Sequence, residues 1–439
     1  MKPFRVLVVD DSKFMRKIIS DLIEKDSRFM VAGTARNGRE ALEQVKSLEP
    51  DLITMDVEMP EMNGLEALQS IMQDQPTPVI MLSGINEQGM KETIIALEYG
   101  AFDFIRKPSI TNAQDIDSVG RELIKQLSAA IQAKERRALW EEEEQRKQLE
   151  RLIPDPSFTS RRERTELSKP AANLMDYKSE SLTQRPVPSQ ASKLETDKSL
   201  SKESRDSITL PKPSGGKQKR HTHRSDGPQI SETKSLNGMT TKSTVMSQLV
   251  AVGCSTGGPR ALRTLLENLP ENFPAPVVIV QHMPPNFTKS LAARLNSFSQ
   301  LEVMEAAHGM VLRKGCAYIA PGGRHISLDR SQNGDIVILV TQEEPRNGHR
   351  PSVEVLFESL LPFEHIKRHL ILMTGMGSDG ARAMKKLYDA GVTSTFAESE
   401  ETCVVYGMPR SAVELGCVSY ILPLQEISAK LVQSVINEK

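Results

Sequence analysis

The sequence predicts an α/β protein: two doubly wound parallel-sheet domains joined by a long disordered linker. Three observations carry this. Short apolar runs alternate with helical stretches from residue 4 to about residue 150. The same alternation resumes at "QLVAVG", residues 248–253. Between the two lies a polar segment rich in Ser, Thr, Lys and Pro. Strands buried on both faces read as continuous apolar runs, and helices between them return the chain for parallel pairing.

In the first region "FRVLVV", "FMVAGTA", "DLITMD", "PVIMLSG" and "DFIRKP" have the length and composition of strands. "SKFMRKIISDLIE", "GREALEQVKSL", "GLEALQSIM" and "KETIIALEYG" read as the helices between them, and a last helix starts near Asp117. That helix continues through "AAIQAKERRALWEEEEQRKQLERL", to about residue 152, and becomes so charged that a solvated end is expected. Residues 154–245 hold Phe158 and Tyr177 as their aromatics, with turn-like pieces such as "PKPSGGKQKR". Too little apolar area is available there to offset ordering entropy, which predicts a disordered, mildly basic linker. Its His221 and His223 read as solvated. Residues 246–439 form the second domain. "LVAVG", "PVVIVQ", "LEVMEA", "CAYIA", "DIVILV", "HLILMT" and "CVSYILP" read as strands, with helices at "PRALRTLLENL", "TKSLAARLNSF", "SVEVLFESLL", "GARAMKKLYDAG", "SAVELG" and "QEISAKLVQSVI".

Composition narrows the function classes. At 439 residues the chain exceeds one ordinary core. Its 56 Lys and Arg balance 57 Asp and Glu, so nothing global points to nucleic acid. Cys254, Cys316, Cys403 and Cys417 are widely spaced, which argues against disulfides or a zinc site and fits a reducing cytosol. No apolar run reaches the roughly 20 residues of a membrane span. The N-terminus enters a strand at once, without a signal-peptide pattern. The expectation is a cytoplasmic protein with no direct membrane insertion.

Acidic residues mark the first sheet. Asp10 and Asp11 end its first strand and Asp56 its third, and ligands of parallel sheets gather at strand carboxyl ends. Carboxylates converging there call for a cation, and oxygen-only ligands favour Mg²⁺. Ser83 and Lys107 end the fourth and fifth strands, where a hydroxyl and an ammonium suit phosphoryl oxygens. The competing reading is that such residues cap the following helices. The stretches "VVDDS", "LITMDVEMPEMNGLEAL", "VIMLSG" and "GAFDFIRKP" resemble a receiver domain of two-component signalling over residues 1–130. The resemblance implies that Asp56 accepts a phosphoryl group from a histidine kinase. It also implies that Asp10, Asp11, Asp56 and the Glu58 backbone hold Mg²⁺. Ser83 and Lys107 would bind the phosphoryl oxygens, and Phe104 would be the aromatic coupled to activation.

In the second domain "GCSTG" fits G-x-S-x-G, a strand-to-helix turn that exposes a hydroxyl. Ser255 in that turn is a candidate nucleophile, a candidate helix cap, or part of a phosphate loop. The stretch lacks the lysine of G-x-x-x-x-G-K-[ST], which weakens the last reading. His282 follows the strand "VVIVQ", and Asp379 lies in a glycine-rich turn after "LILMT". A serine, a histidine and an aspartate at one sheet edge suit nucleophilic catalysis. Their chain order differs from that of α/β-hydrolases. His308, His325, His349, His365 and His369 are poorer base candidates; His365 and His369, four apart in "EHIKRHL", have the spacing of a helical ligand pair but read better as a solvated surface pair, since no nearby acid completes a metal site.

The stretches "VGCSTGGPRAL", "VQHMPPNFT", "YIAPGG", "HRPSVEVLFESL", "LMTGMGSDGA" and "CVVYGMPRSA" resemble, in order, the catalytic domain of chemotaxis protein-glutamate methylesterases. Cys254 departs from that pattern at a position where another small residue is expected, and the linker is longer than is usual. The resemblance implies a Ser255–His282–Asp379 triad and an acyl-enzyme. Thr256 and Met376 are candidates for backbone oxyanion donors. The implied substrates are glutamate γ-methyl esters, and glutamines, on methylated chemoreceptors. A small-molecule esterase or amidase and a non-enzymatic binding module are the alternatives, separated by whether methanol is released from methylated receptors.

Overall fold

The computed structural model describes residues 2–84, 86–109, 113–152 and 246–436. The expected linker, with His221 and His223, lies outside the described residues. In the first domain β1 (Phe4–Val9), α1 (Lys13–Glu24), β2 (Phe29–Ala35), α2 (Gly38–Leu48) and β3 (Leu52–Asp56) alternate. They continue into α3 (Gly64–Asp74), β4 (Val79–Ser83), α4 (Glu87–Glu98), β5 (Asp103–Arg106) and α5 (Ala113–Leu152). The strands pair in parallel in the order β2-β1-β3-β4-β5. Strand order reverses beside β1, so the ends of β1 and β3 frame a crevice. The helices start on dedicated caps: Ser12, Asn37, Asn63 and Asn86 each accept a first-turn backbone N–H.

The second domain runs β6 (Gln248–Cys254), α6 (Gly258–Glu267), β7 (Val277–Gln281), α7 (Phe287–Asn296), β8 (Glu302–Glu305) and β9 (Cys316–Ile319). It continues through β10 (His325–Arg330), β11 (Ile336–Thr341), α8 (Val353–Glu358), β12 (Lys367–Leu372) and α9 (Ala381–Asp389). It ends with β13 (Thr395–Glu398), α10 (Met408–Glu414), β14 (Tyr420–Leu422) and α11 (Leu424–Ile436). A parallel sheet has the order β14-β13-β12-β6-β7-β9-β8, which puts β6 between β7 and β12 at the reversal of strand order. β10 and β11 form a separate antiparallel hairpin. "DIVILV" is therefore not a strand of the main sheet, and neither β10 nor the four-residue β13 was expected. "EHIKRHL" is not helical either. His369 sits buried on β12 with Ser394 and Gln248 as partners, so the proposed pairing with His365 does not form. Burial pushes the His369 imidazole down to about 4.

The two sheets lie in one compact unit. α4 of the first domain packs on α6 and α7 of the second, and Phe104 of β5 meets Phe287 of α7 with ring centroids 4.5 Å apart. Glu98, at the end of α4, is almost wholly buried. It takes a forked pair from Arg294 (Nε–Oε1 3.0 Å, Nη2–Oε2 2.8 Å) and a longer contact from Arg263 at 3.3 Å. Both guanidinium groups lie over the Phe298 ring, so the carboxylate is met by cations already stacked in place. α5 extends far past the first sheet, and Arg136 from its second half donates to the Tyr406 carbonyl at 2.9 Å. Among the described residues no helix is long and apolar enough to cross a membrane.

One close approach fixes the turn after β6. A Cβ on Gly258 would fall 1.9 Å from Gln281 Oε1, and Gln281 is buried with its amide on the Ser255 and His282 carbonyls at 2.9 and 3.1 Å. Gly258→Ala should therefore cost about 1–3 kcal/mol through overpacking, read as a lower urea midpoint for the second domain. An unchanged midpoint would mean that Gln281 moves aside freely.

Candidate active site

At the crevice of the first sheet Asp10, Asp11 and Asp56 bring carboxylate oxygens within 4.8 Å of one another. Lys107 reaches in from the end of β5, 2.8 Å from Asp10 and 2.7 Å from Asp56. None of these groups caps a helix, since Ser12 and the three asparagines do that. Burial pushes the Asp56 carboxyl up to about 6. Lys107 pulls it back, while the charges of Asp10 and Asp11 add to the rise. An all-oxygen donor set that already attracts an ammonium fits a small divalent cation such as Mg²⁺. Ser83 is fully buried at the end of β4, and its hydroxyl accepts from Thr93 at 2.7 Å and donates to the Gly84 carbonyl at 3.0 Å. Thr93, on α4, is a member of this pocket that the sequence did not reveal. The Glu58 side chain accepts from Asn86 Nδ2 at 3.1 Å.

In the second sheet Ser255 and His282 each stand one residue beyond the paired ends of β6 and β7, where Cys254 is in register with Gln281. The His282 amide donates to the Cys254 carbonyl at 3.1 Å. Ser255 is not the cap of α6. Gly257 holds the N-cap position in a left-handed conformation (φ 80°) and Pro259 sits in the first turn. Fully buried Cys254 fits its position, with Sγ 3.1 Å from Gln281 Oε1. Ser255 N donates to the Thr374 carbonyl at 3.0 Å, and Gly375 approaches so closely that an added Cβ would lie 2.8 Å from Ser255 Cβ.

Asp379, between β12 and α9, is buried and heavily bonded. Its Oδ2 accepts from His282 Nε2 at 2.8 Å and Val353 N at 2.7 Å. Its Oδ1 accepts from Asn347 Nδ2 and Ser352 Oγ, both at 2.8 Å, and from Glu354 N at 3.3 Å. Burial alone would raise this carboxyl. The hydrogen bonds from His282, Asn347 and Ser352 outweigh burial and hold it well below the usual carboxylate range. Because Asp379 is an ionised acceptor, Nε2 of His282 carries the proton and Nδ1 is the bare nitrogen. Nδ1 is buried without a hydrogen-bond partner, so the Ser255 hydroxyl is not bonded to it here. Asn347, Ser352 and His349 all come from the loop before α8; His349 and Ser352 lie in "HRPSVEVLFESL", and Asn347 falls outside every stretch the sequence singled out. His349 stacks on His282.

Thr256 is buried, and its hydroxyl donates to Asp103 of β5, a contact between the domains one residue from Ser255. Burial pushes Asp103 up to about 6, against the pull of that hydrogen bond. Met376 is half-buried and packs with Val404 and Val405 against the core of the first domain. At this seam a cavity of about 840 Å³ is lined by Phe102, Arg136, Gly257, Met376 and Tyr406, among others.

Residues 6–117 match a family model described as the response regulator receiver domain, and residues 250–431 match one described as CheB methylesterase. The protein-glutamate methylesterase/protein-glutamine glutaminase of Geobacillus kaustophilus (strain HTA426) is 41% identical over 435 residues, 99% of each chain. That of Bacillus subtilis (strain 168) is 38% identical over 436 residues, again 99% of each. Among solved structures, the Thermotoga maritima CheB methylesterase catalytic domain is 44% identical with a TM-score of 0.42. The match covers 44% of this chain and 100% of that one. The response regulator domain of Thermotoga maritima CheB is 46% identical with a TM-score of 0.28, covering 30% of this chain and 98% of the other.

With its carboxyl raised to about 6, Asp56 binds a proton in competition with any cation. In titration calorimetry the Mg²⁺ affinity should be level above about pH 7 and fall by up to tenfold per unit below about pH 6. Lys107→Ala removes the group that lowers Asp56, so the fall should then begin at higher pH. A flat profile from pH 5 to 8 would contradict this.

Proposed function

Since the chain belongs to the protein-glutamate methylesterase/protein-glutamine glutaminase family, a family of hydrolases, we propose that Ser255, His282 and Asp379 demethylate glutamate γ-methyl esters on chemoreceptors. The observation that supports this best is the state of His282, whose Nε2 is committed to an ionised Asp379 while Nδ1 stays buried without a hydrogen-bond partner, one residue beyond the strand paired with the one that leads to Ser255. Nδ1 takes the Ser255 proton as Oγ attacks the ester carbonyl. Unliganded sites often leave this hydrogen bond unmade until substrate is present. Asp379 stabilises the imidazolium that results. The tetrahedral oxyanion is held by the Thr256 and Met376 backbone amides, and one such donor contributes about 3–4 kcal/mol in related chemistry. Collapse expels methanol with the proton from Nδ1, and water attacks the acyl-enzyme with His282 again as base. A glutamine substrate gives the same acyl-enzyme and releases ammonia.

The first domain is proposed as the regulator. Asp56 accepts a phosphoryl group from a histidine kinase, with Asp10, Asp11, Asp56 and the Glu58 carbonyl holding Mg²⁺, which supplies charge neutralisation. Lys107 and Ser83 bind the phosphoryl oxygens, and Ser83 leaves Thr93 to do so. Residues 1–130 are the receiver, 154–245 the linker and 246–439 the esterase, working in the cytoplasm. The bonds from Asp103 to Thr256 and from Glu98 to Arg294, with Phe104 on Phe287, are read as a masked state that phosphorylation weakens by population shift.

Methanol release from methylated receptor membranes tests both parts. Ser255→Ala and His282→Ala should each lose at least 10⁴-fold in kcat, with the double variant little worse, since such groups act as a unit. Additive losses would remove the triad reading. Glu98→Gln takes the buried charge from between two arginines, and hydrogen bonds to charged groups contribute about 1.5–3 kcal/mol. Basal, unphosphorylated activity should therefore rise by roughly tenfold or more while phosphorylated activity changes little. Equal basal rates for Glu98→Gln and the parent would contradict masking through this pair.

A further inference from the structure

His349 has no part in the mechanism so far, although its ring lies flat on His282. The centroids are 3.8 Å apart and the planes are within 6°. Parallel face contact at this distance fixes the plane of one ring against the other. The contact gains further attraction when one ring is a cation over the face of the other.

The loop that carries His349 is held in place. Arg346 and His349 exchange backbone hydrogen bonds at 3.0 and 2.9 Å across a tight turn, with Asn347 (φ 53°) and Gly348 (φ 80°) left-handed at its tip. Asn347 donates to Asp379 and accepts from Arg382 at 3.3 Å, while Arg346 pairs with Glu358 at 3.2 Å. The turn is thus tied to the carboxylate that holds His282 Nε2, which sets the height of one ring over the other. Burial, the His282 ring and Lys125 push the His349 imidazole down to about 4, and Asp379 only partly opposes them. His349 is therefore neutral, and stays so when His282 takes up a proton.

We infer that His349 is a positioning residue for the esterase. Its flat face fixes the plane of the His282 ring, so that Nε2 stays on Asp379 and Nδ1 stays free to take a proton, and it favours the imidazolium that forms during turnover. The inference rests on the triad reading above, since an interaction stronger in the transition state than in the ground state raises kcat rather than lowering KM.

The test uses the full-length protein, activated with Mg²⁺ and a small phosphodonor, as His349→Ala and His349→Phe. His349→Ala should lower kcat about tenfold with KM unchanged, and His349→Phe, which restores a flat face without a titrating nitrogen, should recover most of it. A second readout needs no turnover. The His282 N–H on Asp379 should give a downfield proton resonance in the parent and in His349→Phe, and it should broaden or vanish in His349→Ala. Failure of the triad reading would appear as activity surviving in His282→Ala, with the resonance still responding to His349. The positioning role is overturned if His349→Ala keeps its kcat, if its resonance stays sharp, or if His349→Phe is as impaired as His349→Ala. Should His349→Ala fail to fold, the Phe variant decides: parent-like kcat and resonance support the role, and loss of either overturns it.

Discussion

A single buried negative charge organises the second domain. Asp379 sits where β6 is flanked by β7 and β12, and a carboxylate there survives only if its lone pairs are filled. The fold fills them from separate pieces of chain: the β7 end through His282, the loop before α8 through Asn347 and Ser352, and α8 itself through the N–H groups of Val353 and Glu354. The last two are amides that a helix leaves unpaired at its N-terminus, so Asp379 does for α8 what its N-cap Ser352 does not. Structural and proposed chemical roles coincide. The donors that make the charge tolerable also keep the carboxyl ionised, and an ionised carboxyl fixes which nitrogen of His282 is bare.

The first domain handles buried charge differently. Asp10 and Asp56 are also buried, but the group between them is Lys107, a flexible ammonium rather than a set of fixed amides. Burial then prevails for Asp56, whose carboxyl rises, whereas Asp379 falls. A pocket held by a mobile cation can exchange it for another or rearrange around an added phosphoryl group; a pocket held by backbone amides cannot. This contrast suits the division of labour proposed here, with a switch in one sheet and a fixed catalytic constellation in the other. Between them, contacts from Glu98, Asp103 and Phe104 all leave the α4–β5 edge of the first sheet and land within or beside the elements that carry Ser255 and His282.

Much of this was legible in the sequence because buried parallel strands write themselves as continuous apolar runs, and the residue after each run is then placed by topology. Asp10, Asp56, Lys107, Ser255 and His282 were all found that way. What failed was whatever depends on pairing partners distant in sequence. "HISLDR" alternates as a hairpin strand should, but nothing local announces that it pairs with "DIVILV" rather than joining the main sheet. "EHIKRHL" has helical spacing, yet β12 begins inside it because β6 supplies a ladder for it to join. Asn347 and His349 lie in a polar turn, one exposed and the other half-buried, whose importance comes only from Asp379 and His282 folding against it. The docking of α4 on α6 and α7 was invisible for the same reason: nothing local in the sequence pairs Glu98 with Arg294.

The central claim is that Ser255 is a nucleophile whose exposure depends on the first domain. It is tested most directly by the rate at which a serine-directed fluorophosphonate labels the full-length protein, with the modified residue located by mass spectrometry. The account predicts a single adduct on Ser255, formed slowly in the unphosphorylated protein and several-fold faster once Asp56 is phosphorylated. An adduct on another residue, or a Ser255 rate that phosphorylation leaves unchanged, would contradict it.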